Sequence, residues 1–348
     1  MKRSFFILLF SAVSFFSFAQ PVLDSLIDEG VDLHDRGYLE EAVKKYDSAL
    51  AKDPRNYRAN YEKAYTFSEL KKYDECIAIC KFLLEEHKGN PHNKEVWVTY
   101  GSVLDYEHKP DEAIKTYDDG LKEFPDYHLL HFNKAITLAN QNKLEEAQIS
   151  LQSSLRSNPF HASSHHVMAI VMQRRNKIAA LLSCIAFLSL EPEGERAVLN
   201  MQRIESILGA NVTKKDEKNI EITMPSDLFD NNASSENNFR TVEVFMSLSS
   251  ALDHSDQYKN ETTSERLNRK LSGIVGSLKE GRKDGKGFFW EFYVPFVVGI
   301  DSNKMTNTLA HVIYTSSDEP DNNKWLKDHK IEVTEFFDWV RQYKWINK

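Results

Sequence analysis

The sequence predicts an all-α protein in which residues 20–209 form an α-solenoid of about five helical hairpins, and three recurring marks support this prediction. The first is a small residue at separations of 34, 37, 34 and 33, namely Ala42, Cys76, Ala113, Ala147 and Ala180. The second lies four positions later, at Tyr46, Cys80, Tyr117, Leu151 and Cys184. The third is a proline that closes four of the five units, at Pro54, Pro125, Pro159 and Pro192. Units of this length bury their apolar faces only by stacking, which leaves one concave surface.

The units follow one another without a break in the pattern. We place them at about 23–56, 57–90, 94–127, 128–161 and 162–194, and the insertion at 89–92 accounts for the step of 37 residues. The segment 178–190 is apolar nearly all round, which predicts burial on two sides. A further amphipathic helix, at about 194–208 and ended by Gly209, is expected to cap the solenoid.

The third unit carries the marks most completely, at Trp97, Gly101, Leu104, Ala113, Tyr117, Leu121 and Pro125. In this pattern the chain resembles the tetratricopeptide-repeat family over about 170 residues, roughly half of its length. The resemblance implies pairs of antiparallel helices whose concave surface holds another polypeptide. It therefore favours a non-enzymatic, protein-binding scaffold or adaptor of the cell envelope, with no cofactor.

The same resemblance implies which residues line the groove, because the first helix of each repeat faces the concave side. Those residues are Tyr61, Tyr65 and Glu69 in repeat two, Thr99, Ser102, Asp105 and Tyr106 in repeat three, Leu129, Phe132, Asn133, Ile136 and Asn140 in repeat four, and His166, Ile170, Gln173 and Arg174 in repeat five. The family's clamp for a C-terminal carboxylate needs lysines that this row lacks. The row of apolar residues and tyrosines instead suggests an extended or helical apolar segment as the partner.

The first nineteen residues have the pattern of a secretory signal peptide. Lys2 and Arg3 precede an apolar run, and Ser17 and Ala19 occupy the small-residue positions before a cleavage site. The ending Ser-Phe-Ala-Gln resembles signals of the Bacteroidetes group, and no cysteine follows that would accept a lipid. We expect a mature chain that begins at Gln20 and is periplasmic or secreted; an uncleaved anchor is the alternative.

The mature chain is acidic, with 42 lysine and arginine residues against 52 aspartate and glutamate residues. This balance argues against nucleic acid and anionic membranes as partners. Beyond the leader, no segment reaches the length of a transmembrane span, since Glu291 and Pro295 interrupt the run 288–300. Another protein or peptide is therefore the expected partner.

The cysteines and histidines give little indication of a reactive thiol or a metal site. Cys76, Cys80 and Cys184 fall at core positions of the repeat and are expected to be buried, poorly reactive thiols. His131 and His165 occupy the same repeat position, but the sequence places no carboxylate to complete a zinc site, so we expect no metal.

Residues 210–238 are polar and are interpreted as a linker, and 239–348 as a separate, mainly helical domain. Helices are expected at about 239–252 and 323–345 and after the capping pair Thr262 and Glu265, with a break at Pro295 in the middle segment. Two alternatives to the scaffold remain open. The domain 239–348 fills the groove itself, with the partner surface elsewhere, or it carries an enzyme activity that no motif specifies.

Overall fold

The computed structural model describes residues 16–216, 219–224 and 235–346, with side chains from residue 21 onward. Most of the predicted signal peptide, and residues 217–218 and 225–234 of the predicted linker, lie outside these ranges. Within them the chain forms seventeen α-helices and one two-stranded ribbon. The helices of the repeats are α1 (Phe16–Asp35), α2 (Leu39–Leu50), α3 (Tyr57–Glu69), α4 (Tyr73–Glu86), α5 (Asn93–Tyr106), α6 (Pro110–Glu123), α7 (His128–Asn140), α8 (Leu144–Ser157), α9 (Ala162–Met172) and α10 (Lys177–Leu190).

The predicted all-α solenoid is confirmed, because five successive helical hairpins occupy the predicted repeats. The predicted capping helix is α11 (Glu195–Gly209). The chain divides into two compact units, a first unit of residues 1–137 and a second unit of residues 138–348. Each is described by itself.

In the first unit, a glycine on the first helix of a repeat packs against a tyrosine on the second. A Cβ atom added to Gly101 would lie 2.3 Å from Cε1 of Tyr117, and one added to Gly30 would lie 2.4 Å from Cε1 of Tyr46. Both tyrosines are buried. Gly101 is therefore small because α5 and α6 pack closely at this point.

The same two positions vary together in the other repeats. Where the second residue is a leucine or cysteine, the first is an alanine: the pairs are Ala64 with Cys80, Ala135 with Leu151, and Ala169 with Cys184, all buried. A large ring therefore goes with glycine and a smaller side chain with alanine, as expected where a fixed volume must be filled at interior packing density.

A polar residue in the first turn of the first helix binds the loop before it in four repeats. Its side chain contacts the carbonyl oxygen six residues earlier: Asn60 with Pro54 at 3.1 Å, Asn93 with His87 at 2.9 Å, His131 with Pro125 at 2.8 Å, and His165 with Pro159 at 2.8 Å. The two histidines thus have a structural role in fixing the turn between repeats. Among residues 16–216, 219–224 and 235–346, no cluster of three or more histidine, cysteine or acidic residues is arranged to hold a metal ion.

The three cysteines are free and fully buried, as the repeat pattern predicts. A hydrogen bond from the Cys80 thiol to Cys76, together with burial, raises the pKa of Cys80. Burial raises the pKa of Cys184 to about 12. Reactive thiolate is therefore scarce at neutral pH.

Helix α10 lies at the centre of the second unit. Every residue from Ile178 to Ser189 is buried, which confirms the burial on two sides that its apolar surface predicts. Helices α9 and α11 pack against it, and so do elements from the region after residue 239. Those elements are α12 (Arg240–Ala251), α13 (Thr263–Gly281), a π-helical turn (Phe289–Tyr293), α14 (Val294–Ser302), α15 (Thr306–Ile313), α16 (Pro320–Asp328) and α17 (Lys330–Gln342), of which α12, the π turn, α14, α15 and α17 contact α10.

For this region the structure confirms one expectation, contradicts two and adds one element that was not expected. The capping box of Thr262 and Glu265 opens α13 as predicted. The predicted break at Pro295 is wrong: the chain passes from π to α geometry directly before Val294 and stays helical through Pro295, which lies in the first turn of α14, where its missing N–H disrupts no hydrogen bond within α14. The single last helix is wrong: it breaks at His329, whose φ of −115° and ψ of 38° are not helical. The segment interpreted as a linker contains an antiparallel ribbon, β1 (Val212–Lys214) and β2 (Ile220–Ile222), which the sequence analysis missed.

His165 joins the fifth repeat to the aromatic residues of the C-terminal region. It is fully buried, and its Nε2–H donates to the Pro159 carbonyl oxygen. Its Nδ1 therefore accepts from the Tyr293 hydroxyl at 2.9 Å. The rings of Phe292, Tyr293 and Trp345 surround the imidazole. Burial, which disfavours the imidazolium, lowers the pKa of His165 to about 4.

This histidine predicts a specific loss of stability in mild acid. The folded-state pKa of about 4 lies below the unfolded value of roughly 6.5. The contribution of neutral His165 to the free energy of unfolding is complete above pH 6.5. It is lost as the pH falls toward 4, and the total loss is about 3 kcal/mol. We expect His165→Asn, the residue found at this position in repeat two, to keep the loop contact but flatten the pH dependence of unfolding in this window. Equal slopes for the two proteins in chemical denaturation between pH 7 and 4 would contradict this assignment.

Candidate functional site

The first helices of repeats two and three form a groove in the first unit. Tyr65 and Glu69 lie on α3, and Thr99, Ser102 and Tyr106 lie on α5. Together they line a cavity of about 540 Å³ that we call the tyrosine groove. Its complete lining is Tyr65, Ser68, Glu69, Lys71, Tyr73, Val98, Thr99, Ser102, Val103 and Tyr106. The structure thus brings together five of the seven residues that the sequence analysis assigned to these two repeats.

The two tyrosines of the groove expose large fractions of their side chains. Tyr65 is 42% exposed and Tyr106 is 63% exposed, whereas the packing tyrosines Tyr46 and Tyr117 are buried. Neighbours hold both rings: Tyr65 lies 5.3 Å from the His34 imidazole, and Tyr106 stacks on Tyr73 at 6.3 Å. The groove therefore offers aromatic surface that is positioned but not covered within the first unit.

Carboxylates accompany the tyrosines. Glu69 lies 3.6 Å from His34 Nε2 and keeps 44% of its side chain exposed. Burial, and then the charge of Glu69, raise the pKa of the Tyr65 hydroxyl, and Glu62 acts in the same direction. Burial also raises the pKa of Glu62. The groove therefore combines aromatic surface with the exposed carboxylate of Glu69, and its lining also includes one cation, Lys71.

The other predicted groove residues of the first unit are less available. Tyr61 is half-buried, and burial raises the pKa of its hydroxyl. Asp105 accepts a hydrogen bond from Thr137 at 3.0 Å. Of the predicted residues on α7, Leu129, Phe132, Asn133 and Ile136 are half-buried and Asn140 is exposed. The Asn133 amide donates to the Leu129 carbonyl of its own helix at 2.8 Å.

In the second unit, His166 and Ile170 of the predicted groove row lie on α9, and Gln173 and Arg174 follow its last residue, Met172. Ile170 is 47% exposed, and Gln173 and Arg174 are exposed. His166 is half-buried and contacts Asn200 at 2.7 Å. The aromatic residues of the C-terminal region pack instead on α10 and His165. Within the second unit, therefore, the described part of 239–348 leaves Ile170 and Arg174 uncovered.

Sequence reasoning missed five residues of the lining, which are Ser68, Lys71, Tyr73, Val98 and Val103. It also missed His34, which lies beside the groove and contacts Tyr65 and Glu69. His34 belongs to repeat one, and Lys71 and Tyr73 belong to the turn and the second helix of repeat two. Lys71 has a left-handed backbone, with φ of 58°, which turns the chain directly into α4. In the sequence, the only indication of these residues was that the turn directly follows α3, whose side chains line the groove.

A polar cavity of about 260 Å³ in the second unit bears on the enzyme alternative. Its charged residues are paired with one another: Asp253 binds Lys270 and also Arg269, which contacts it at 2.7 Å. The Tyr314 hydroxyl donates to Glu205 at 3.1 Å. Such mutual pairing is typical of a structural ion network.

Comparison with known proteins agrees with this architecture. Residues 27–91 and 101–162 match the tetratricopeptide-repeat family model. These parts of the chain are tetratricopeptide repeats, the class of helical module that binds other polypeptides. No helix within 16–216, 219–224 or 235–346 has the length and apolar character that a membrane crossing requires.

Individual relatives are distant. Superkiller protein 3 of Schizosaccharomyces pombe is 24% identical over 157 residues, which are 42% of this chain and 11% of that protein. The match thus spans about a tenth of the relative's length. Among solved structures, PilF of Pseudomonas aeruginosa is 19% identical with a TM-score of 0.46, covering 55% of this chain and 90% of that one. YrrB, described as a TPR protein with an unusual peptide-binding site, is 19% identical with a TM-score of 0.40, covering 53% and 98%.

Proposed function

We propose that this protein is a non-enzymatic scaffold that holds a segment of another polypeptide in the concave groove of its repeats. The observation that carries the proposal is the exposure of Tyr65 and Tyr106 in a groove of about 540 Å³. Other tyrosines at packing positions of the same repeats are buried, so these two are not needed to hold the helices together. Aromatic side chains in a concave site are the usual anchors of a protein interface.

The proposed place of action is the cell envelope, after export and removal of residues 1–19. The N-terminal sequence supports this part of the proposal. Sequencing the N-terminus of the protein isolated from its host is expected to give Gln20. A protein that retains Met1 in the cytoplasm would overturn the envelope assignment and leave the binding proposal standing.

A groove filled by the protein's own C-terminal region is the alternative. The exposure of Ile170 and Arg174 favours an external partner at repeat five. For the first unit, crosslinking distinguishes the two possibilities, because a groove filled by the protein's own C-terminal region would form crosslinks within one chain.

Site-specific photo-crosslinking in the host separates these possibilities. A photoreactive phenylalanine analogue at position 106 is expected to give a discrete crosslinked product with another protein. The same analogue at Lys122, which is exposed on the second helix of its repeat, is the control and should not give that product. An intramolecular crosslink from position 106 would favour the alternative, and equal products from both positions would overturn the proposed groove.

A further inference from the structure

We propose that the segment held in the tyrosine groove is cationic, and that it places a lysine or arginine side chain between Tyr65, Tyr106 and Glu69. This inference rests on the proposed function and adds the chemistry of the partner. It narrows the expectation from the sequence, in which the row of groove residues suggested only an apolar segment.

The groove combines the two features that attract an organic cation. Tyr65 and Tyr106 expose 42% and 63% of their side chains, and the π face of a tyrosine attracts an ammonium or guanidinium group. The Glu69 carboxylate lies on the same helix as Tyr65, one turn further along, and keeps 44% of its side chain exposed. A cation between the rings would therefore also be within reach of an opposite charge.

The net charge of the first unit is negative, as is the charge of Glu69. Residues 21–137 contain 16 lysine and arginine residues against 24 aspartate and glutamate residues, a net charge of −8. Lys71 is the one cation among the groove-lining residues, and it lies in the turn after α3 rather than on the inner row. Glu62 and Glu69 both act on Tyr65. An acidic segment would meet repulsion here, whereas a basic one would be drawn in.

The floor of the groove allows such a segment to lie in an extended form. Ser68, Thr99 and Ser102 supply hydroxyl groups between the tyrosines, and Val98 and Val103 supply apolar surface. An alternation of basic and small apolar residues in the partner matches this lining. All three hydroxyls already have a partner within the first unit: Thr99 donates to the Glu95 carbonyl, Ser68 donates to the Tyr65 carbonyl at 2.6 Å, and Ser102 is paired with the Tyr117 hydroxyl at 3.2 Å.

Selection from a random peptide library tests this chemistry on the full-length mature chain. Twelve-residue peptides displayed on phage are selected on the wild-type protein, and the charges of the recovered peptides are counted. We expect enrichment of lysine and arginine over aspartate and glutamate. Synthetic versions of the recovered peptides should bind less tightly as sodium chloride is raised, since salt screens the exposed charges.

Two charge reversals, one inside the groove and one outside it, test whether the basic peptides bind at Glu69. Glu69→Lys is expected to weaken binding of the basic peptides about tenfold, because it removes one ion pair and puts a repulsive charge in its place. Glu112→Lys changes the net charge equally but lies exposed on the second helix of repeat three, and it should change binding by less than about threefold. Tyr106→Ala should weaken the same peptides without changing their salt dependence.

Each outcome bears on a different statement. Selected peptides that are acidic or neutral, and that still require Tyr65 and Tyr106, would overturn the cationic assignment and keep the groove as the binding site. Basic peptides that respond equally to Glu69→Lys and Glu112→Lys would overturn the local site, because only the overall charge would then attract them. Failure to recover any peptide that depends on Tyr106 would overturn both this inference and the proposed function.

Discussion

Deleting residues 210–348 is expected to abolish cooperative unfolding of the fifth repeat and to make the remaining chain aggregate. Helix α10 is buried along Ile178–Ser189, but α9 and α11 cover only part of it. The rest packs against α12, the π turn, α14, α15 and α17. Burial of one large aliphatic side chain contributes about 1.5–3 kcal/mol. Exposing several of them together exceeds what a small helical unit can lose.

The deletion is measured by thermal unfolding and by binding of a dye specific for exposed apolar surface. A point variant tests the same packing more mildly. Trp345→Ala removes one buried ring from the aromatic group around His165 and Phe296. It should cost about 3–5 kcal/mol without aggregation. A chain of residues 20–209 that stays monomeric and unfolds cooperatively near the wild-type temperature would contradict the dependence. It would also support the prediction, still untested, that 20–209 and 239–348 are separate domains.

The sequence predicted the solenoid because packing in a repeat leaves a periodic record. Small residues such as Ala42 and Ala113 recur where helices cross, and prolines recur where units end. The apolar circumference of α10 likewise predicted that it is buried on two sides. It did not indicate what covers the second side, because an apolar surface specifies burial and not the identity of the neighbouring element.

The contacts that the sequence analysis missed depend on single polar groups. Nothing in the repeat pattern indicates that His131 and His165 bind the preceding loop, although Asn60 does so from the same position and Asn93 does so from the first position of α5. The break at His329 and the ribbon of Val212 and Ile222 likewise follow from local backbone conformation rather than from hydrophobic periodicity.

Part of the groove was predictable because it also follows the periodic spacing of the helices. Helical geometry fixes which residues of α3 and α5 share the inner face, so Tyr65, Glu69 and Tyr106 could be assigned from spacing. Their chemistry also depends on His34 and Tyr73, which come from other helices. Long-range pairing of this kind is set by how repeats stack, and one repeat read alone does not contain it.

Replacing Gly101 by alanine is expected to destabilise the first unit by about 1–3 kcal/mol, the usual cost of overpacking a tight core. The added Cβ would lie 2.3 Å from Tyr117 Cε1 and 2.7 Å from Cζ. The ring has little freedom to move, because it is buried and its hydroxyl is paired with Ser102 at 3.2 Å. Steric conflict thus outweighs the gain of about 1 kcal/mol that alanine normally gives over glycine within a helix.

The repeats themselves supply the compensating change. Repeat four has Ala135 and Leu151 at the positions of Gly101 and Tyr117. In a Tyr117→Leu background, Gly101→Ala should therefore cost far less than it does alone, because the smaller side chain leaves room for the methyl group. Chemical unfolding of the four proteins, followed by circular dichroism, gives the coupling energy. Gly276→Ala in α13, where no atom lies within 4 Å of the added Cβ, is the control and should stabilise by about 0.5–1 kcal/mol. If Gly101→Ala were as favourable as Gly276→Ala, or if its cost were the same in both backgrounds, the crossing of α5 and α6 would not be set by this glycine and its tyrosine.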